Sequence, residues 1–229
     1  MTLLVTAFEP FGPWDHNSTV DVAEKLSYEL GAATLTLPVD IVSAPQLLRS
    51  TIRAIGPTAV LALGLHGRTR SVRVERAALN VADFSLADNA GRVVHSQPVV
   101  EGAPDGRLTS ANVREVVNTM RADGVPADVS NSAGTYLCNA IYFVALDALA
   151  EDGCDAGALF LHLPPLPGAA SKAALELKAM RARGEGPARV DPRLTGEAGG
   201  VDEGAGMLLD LQVRGACIAA RHLLHGERL

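Results

Sequence analysis

The stretch SNSAGTYLCNAIYF, residues 130–143, sets a cysteine into apolar residues at helical spacing, behind a run of small polar ones. Cys138 falls in the first turn or so of the helix that this pattern predicts. Unpaired N–H groups and the helix dipole favour an anion there, so a thiol in that place is expected to ionise more readily than a free one. A free cysteine is more often a small buried hydrophobe, and Cys138 taken by itself fits that role. His162 bears on the choice. It ends the apolar run ALFLHL, just before Pro164 and Pro165. By itself it reads as a core histidine bonded to backbone. Beside Cys138 it is a base placed for thiol activation. Glu75 is the third candidate, interrupting VRVERAALNV. A carboxylate there would hold an imidazole in one tautomer; the alternatives are a salt bridge to Arg73 or Arg76, or a solvated strand position. Cys154, in the turn EDGCDAG, and Cys217, in an apolar helix, lack such company and read as structural.

These residues need a scaffold, and the chain predicts one by alternation. TLLVTAF, TAVLALGL and AGALFLHL are short apolar runs with the length of buried strands, and ATLTLPVDI reads as a further strand. SVRVERAALNVADF alternates more strictly, as a half-exposed strand would. ADVSNS is a short strand. Between them, STVDVAEKLSYEL has helical spacing with Asn17 or Ser18 as N-cap, APQLLRSTIRAI is a second helix, and SANVREVVNTMRA is a third opened by Ser110. GTYLCNAIYFVALDALA places Leu137, Ile141, Val144 and Ala148 on one face. A last helix runs from about Gly204 to His225. Residues 85–108 are turn-rich, and residues 164–203 read as a loose segment holding one helix, SKAALELKAMRA. The βα order predicts an α/β fold: one domain over residues 1–229, a three-layer α/β/α sandwich with a largely parallel twisted sheet. In open α/β sheets ligands sit at the carboxyl ends of the strands. Cys138 follows one strand and His162 ends another, so both are expected at that edge.

Composition narrows the function classes. Hydrophobic residues make up 48% of 229, enough for a sizeable core. A net charge of −6 argues against a nucleic-acid surface and against binding to anionic membranes. Three cysteines make a poor disulfide framework and suit a reducing compartment. The N-terminal MTLLVTAFEPFG lacks a basic region and a signal-length apolar run, and no stretch has the length of a membrane span. A cytoplasmic location is the expectation. The six histidines show no ligand spacing, so no metal is expected.

Four blocks give the chain a resemblance to the pyroglutamyl peptidase I family of cysteine exopeptidases. LLVTAFEPFG resembles the family's first strand and its turn. VERAALNVADFSLADN resembles the glutamate block, SNSAGTYLCNAIYF the nucleophile block, and LFLHLPPLP the histidine block. The order and the spacings match, and the likeness covers residues 1 to about 167. It implies Cys138 as nucleophile, His162 as general base and acid, and Glu75 as the residue orienting His162. It further implies Phe8 and Phe11 around the pyroglutamyl ring, Tyr136, Leu137 and Leu86 as apolar walls, and Asn17 near the pocket. It implies peptides with an N-terminal pyroglutamyl residue as substrates, no cofactor, and a homo-oligomer, dimer or tetramer. The chain departs from the family at Ala7, Pro13, Ser85 and Pro165, and in the loop GLHGRTR. That loop, with Arg68 and Arg70, is also the only support for a rival class, a phosphate-using phosphorylase-like enzyme. An inactive binder of modified N-termini is the other rival.

Overall fold

The computed structural model describes residues 2–151, 157–184 and 201–226. In chain order they form β1 (Leu3–Phe8), α1 (Ser18–Leu30), β2 (Ala33–Leu37), α2 (Ser43–Ile55), β3 (Ala59–Leu65), β4 (Val72–Glu75), β5 (Ala77–Leu79) and β6 (Gly106–Leu108). Then come α3 (Val113–Ala122), β7 (Ala127–Ser130), α4 (Leu137–Glu151), β8 (Gly157–Leu163), α5 (Ala169–Ala182) and α6 (Leu209–His225).

Six strands make the central sheet, in the order β2-β1-β3-β8-β4-β7. β2, β1, β3 and β8 run parallel. β4 lies antiparallel to β8 and parallel to β7, so this last pair runs the other way. Strands β1, β3 and β8 are buried along their whole length, which their uninterrupted apolar runs require. Successive side chains then pack on opposite faces. Leu3, Val5, Leu61, Leu63, Leu159 and Leu161 meet α1, α3 and α6. Leu4, Phe8, Val60, Ala62 and Phe160 meet α2 and α4. Each fully buried leucine contributes roughly 1.5–3 kcal/mol relative to an exposed one, so this core carries the three-layer sandwich. Among the described residues no helix is long and apolar enough to cross a membrane.

Several expectations need correction. SVRVERAALNVADF is not one half-exposed strand. It breaks at Arg76 into β4, inside the main sheet, and β5, which pairs with β6 in a separate hairpin. Alternation in β4 reflects a buried polar site on one face rather than solvent. α4 is buried almost all round, not on one face, because it is covered by the sheet on one side and by α2 and the β5–β6 hairpin on the other. Of the two candidate caps of α1, Asn17 takes the role, accepting from the Thr19 N–H at 3.2 Å. Asn112, not Ser110, caps α3, accepting from the Glu115 N–H at 3.2 Å.

From residue 164 onward, the described residues are tied to the rest of the fold. α5 forms where the sequence places a helix. Residues 201–207 are tied down: Arg70 donates to both Asp202 oxygens at 2.8 and 3.1 Å, and the Met207 N–H donates to Pro165 O at 2.9 Å. α6 therefore starts at Leu209 rather than near Gly204. Residues 185–200 and Cys154 lie outside the described residues.

Candidate active site

On the face covered by α4, the sheet register sets three residues side by side. Gly64 of β3 pairs with His162 of β8, and His162 pairs with Arg73 of β4. Two residues along β4, on the same face, lies Glu75. The imidazole and the carboxylate meet: His162 Nδ1 is 2.8 Å from Glu75 Oε1, with both residues buried. An ionised carboxylate only accepts, so Nδ1 carries the proton and Nε2 is left to face the thiol. Tyr142 of α4 steadies the strand by donating its hydroxyl to Glu75 O at 3.0 Å.

The thiol arrives from above. Cys138 is the second residue of α4 and is half-buried. It fits because Gly64 has no side chain. A Cβ added there would lie 2.7 Å from Phe160 Cζ, closer than real Cβ contacts reach, and 3.0 Å from Cys138 Sγ, a tight contact. Cys138 lies close enough to His162 to act on its charge. Burial works against a charged imidazole, yet the nearby Cys138 sulfur and the hydrogen-bonded Glu75 carboxylate outweigh it and push the His162 pKa up to about 10. Neighbouring backbone is pinned by Asn139, which accepts from the Leu79 N–H at 2.8 Å and donates to Leu79 O and Val81 O.

The route by which Cys138 and His162 meet differs from the expected one. β7 runs opposite to β8, so its carboxyl end does not lie at the carboxyl edge of β8. The loop of residues 131–136 makes up the difference, carrying the chain back so that α4 begins beside Gly64 and His162. That loop is held by its neighbours: the Asp83 N–H donates to Thr135 O at 3.0 Å, and the Tyr136 hydroxyl to Ala87 O at 3.2 Å.

Beside the thiol opens an apolar slot, enclosing about 270 Å³ of empty space including its mouth. Phe8, Phe11, Asn17, Tyr136, Leu137 and Cys138 line it, together with Val39 and Leu65. Of the residues expected around it, only Leu86 does not line the slot; it sits half-buried in the adjacent turn. Val39 and Leu65 carry no signal in the sequence, since an apolar residue at or just past the end of a strand looks like any core residue. Asn17 is held rigid by its own duties: besides capping α1 it donates to Glu9 O at 3.2 Å. Of the two cations in the loop GLHGRTR, Arg70 is engaged by Asp202. Among the described residues, no group of three metal-type ligands comes together.

Comparison with known proteins follows the same lines. The family model described as pyroglutamyl peptidase matches residues 1–180. The pyrrolidone-carboxylate peptidase of Thermococcus onnurineus is 35% identical over 167 residues, covering 72% of this chain and 84% of that one. Pyrrolidone-carboxylate peptidase 1 of Ralstonia nicotianae is 34% identical, covering 74% of this chain and 81% of that one. Among solved structures, the pyrrolidone carboxyl peptidase of Fervidobacterium islandicum superposes with a TM-score of 0.80 at 26% identity, over the whole of both chains. A mutant of the Pyrococcus furiosus enzyme gives 0.78 at 27% identity, over 98% of each chain. The buried imidazole–carboxylate pair, the thiol above it and the extent of these matches lead to one conclusion: the chain belongs to the pyroglutamyl peptidase family.

Proposed function

We propose that this protein is a cysteine exopeptidase that removes an N-terminal pyroglutamyl residue from peptides, with Cys138 as nucleophile, His162 as general acid and base, and Glu75 as the residue orienting His162. The observation that carries the reading is the chain of contacts from thiol to imidazole to buried carboxylate beside an apolar slot. The Cys138 sulfur attacks the carbonyl that joins pyroglutamate to the next residue. N–H groups of the first turn of α4, which have no acceptor inside the helix, face the developing oxyanion. His162 protonates the leaving amine, and a thioester remains. His162 then takes a proton from water, hydroxide adds to the thioester, and pyroglutamate leaves as the thiol is restored.

The slot suits a lactam. Phe8, Phe11, Tyr136 and Leu137 offer flat apolar walls, and an uncharged ring with one N–H and one C=O is easily desolvated. N-terminal glutamine or proline would bring an ammonium into the same place, at a cost of several kcal/mol if unpaired, on the order of the burial penalties of charged groups. The substrates are peptides with an N-terminal pyroglutamyl residue; assembly as a homo-oligomer and a cytoplasmic location belong to the same proposal.

Release of a fluorogenic amine from a pyroglutamyl amide tests it. Turnover that a thiol reagent abolishes is the expected result, with prolyl, glutaminyl and alanyl amides slower by roughly 10⁴-fold. Comparable kcat/KM on prolyl and pyroglutamyl amides would overturn the slot; turnover that survives complete alkylation of Cys138 would overturn the mechanism.

A further inference from the structure

His66 and Arg73 surround the imidazole, and the mechanism above uses neither. Both lie in or beside the loop GLHGRTR. His66 follows the end of β3, and its N–H donates to Leu163 O at 2.9 Å, continuing the β3–β8 ladder past the last strand residue. Its ring therefore stands on the site face, edge-on to His162, with centroids 5.2 Å apart at 76°. Phe160 packs against His162 from another side at 4.8 Å. His66 Nδ1 accepts from the Arg68 N–H at 3.3 Å, and its Nε2 lies 3.5 Å from Arg73 Nη1. Burial comes first among the forces against a second proton on this ring, followed by the charges of His162 and Arg73, and its pKa falls to about 3. His66 is thus a neutral ring beside a charged one.

Arg73 reaches the same carboxylate as His162. Its Nε is 3.8 Å from Glu75 Oε1, the oxygen to which His162 Nδ1 donates at 2.8 Å. Its Nη2 donates to Ser130 Oγ at 2.8 Å, which fixes the guanidinium across β4 and β7. Oε2 of Glu75 is buried without a partner. Two cations therefore converge on one oxygen.

We propose that Arg73 and His66 are positioning residues for His162: Arg73 shares Glu75 Oε1 with the imidazole and weakens its hold on the proton, while His66 braces the ring edge-on. The groups facing His162 are Cys138 from α4, Glu75 and Arg73 from β4, and His66 from the loop after β3; Arg68 lies behind His66 and Tyr142 behind Glu75. Of these, Arg73 is the lasting cation nearest to the shared carboxylate. A positive charge there makes the imidazolium a stronger acid, and a stronger acid gives its proton more readily to a leaving amine.

The test rests on the catalytic reading above and uses the full chain. The alkaline limb of kcat/KM on a pyroglutamyl amide is compared for wild type, Arg73→Gln, Arg73→Lys, His66→Phe and His66→Ala, alongside an NMR titration of the His162 ring. Arg73→Gln should move the alkaline limb and the ring titration up by roughly 0.5–1 pH unit, as loss of a nearby partly screened charge does, and lower kcat. Arg73→Lys, which keeps the charge, should leave both near the wild-type values. His66→Phe keeps the edge contact and should retain most of kcat. His66→Ala should lower kcat about 10-fold with KM unchanged, the scale of a modest misplacement of a reacting group. Circular dichroism identifies any variant that fails to fold, and the lysine and phenylalanine variants then decide. An Arg73→Gln limb that does not move, or a limb that moves as far in Arg73→Lys as in Arg73→Gln, would overturn the role of Arg73. Equal kcat in His66→Phe and His66→Ala would overturn the bracing. His162→Ala is the control: if it still turned over, the catalytic reading itself would fall, whereas an inactive His162→Ala with an unmoved Arg73→Gln limb would sink this inference alone.

Discussion

The two faces of the central sheet are made of alternate residues of the same strands, yet they differ in kind. On the α1, α3 and α6 side, β3, β4 and β8 present Leu61, Leu63, Val72, Val74, Leu159 and Leu161. On the α2 and α4 side the same strands present Gly64, Arg73, Glu75, Phe160 and His162. The first face is apolar core. The second is apolar towards the amino ends of β3 and β8 and becomes polar towards their carboxyl ends. A buried carboxylate and a buried imidazole are costly singly and tolerable as a hydrogen-bonded pair. The sheet therefore concentrates its apolar burial on one side and its buried polar groups on the other, one residue out of step.

That division is broken hardest at the thiol. Cys138→Ser should lower turnover by roughly 10³-fold or more, since serine is far less acidic and removing one member of a cooperating set costs most of the catalysis. Far-UV circular dichroism and the melting temperature should stay near wild type. Near-native rates in this variant would mean that the site face does not do its chemistry through Cys138.

Glu75→Gln should have the next largest effect, about 10²-fold on kcat, because a glutamine can keep the shape but neither the charge nor the forced tautomer. The sign of its pH effect follows from the causes of the His162 shift. The imidazolium, with its pKa near 10, persists through neutral pH and is lost as the pH rises through that value. Removing the carboxylate takes away one of the two partners that raise it, so the alkaline limb of kcat/KM should move down. A limb that stays put would detach Glu75 from His162.

Leu161→Ala probes the opposite face. Leu161 is wholly buried and one residue from His162, but its side chain points into the α1, α3 and α6 core. The cost should be about 2–5 kcal/mol of stability, measured by urea denaturation, from lost transfer energy and the cavity left behind. The folded fraction should keep its kcat/KM within a few-fold. If Leu161→Ala instead abolished turnover at full foldedness, the two faces would not be separable.

These contrasts also explain what the sequence made legible. The apolar runs of β1, β3 and β8 announce buried strands, and Cys138, His162 and Glu75 stand out because each is a reactive or charged residue in apolar surroundings. Strand direction is not a local property, so nothing in ADVSNS reveals that β7 runs against β8. Alternation has two meanings, solvent on one side or a buried polar site, and VRVE resembles the first while being the second. Capping residues two positions apart, Ser110 and Asn112, satisfy the same local rule, and only the packing of Val113 and Val116 selects between them. The slot residues Leu65, at the end of β3, and Val39, two residues past β2, are apolar and indistinguishable in sequence from core. The anchoring of residues 201–207 depends on a partner more than a hundred residues away, Arg70, which composition does not register.

The smallest effect is expected at the second described cysteine, and it sharpens the comparison because it asks the same side chain to behave differently on the other face. Cys217 lies on α6, buried against the apolar side, and its thiol donates to Glu29 Oε2 at 3.3 Å. Burial first, then the bond to Glu29 and that carboxylate's charge, push its pKa up to about 12, so it remains a thiol across the working range. A thiol is a poor nucleophile, and a buried one is shielded as well. Iodoacetamide at neutral pH, followed by peptide mass mapping, should therefore label Cys138 and leave Cys217 unmodified in the folded protein; unfolding in urea should expose it to labelling. Cys217→Ala should cost about 1 kcal/mol, for one weak hydrogen bond and a sulfur-sized void, and change kcat/KM by less than about two-fold. Labelling of Cys217 in the folded protein at a rate close to that of Cys138 would show that reactivity does not depend on which face of the sheet a cysteine occupies.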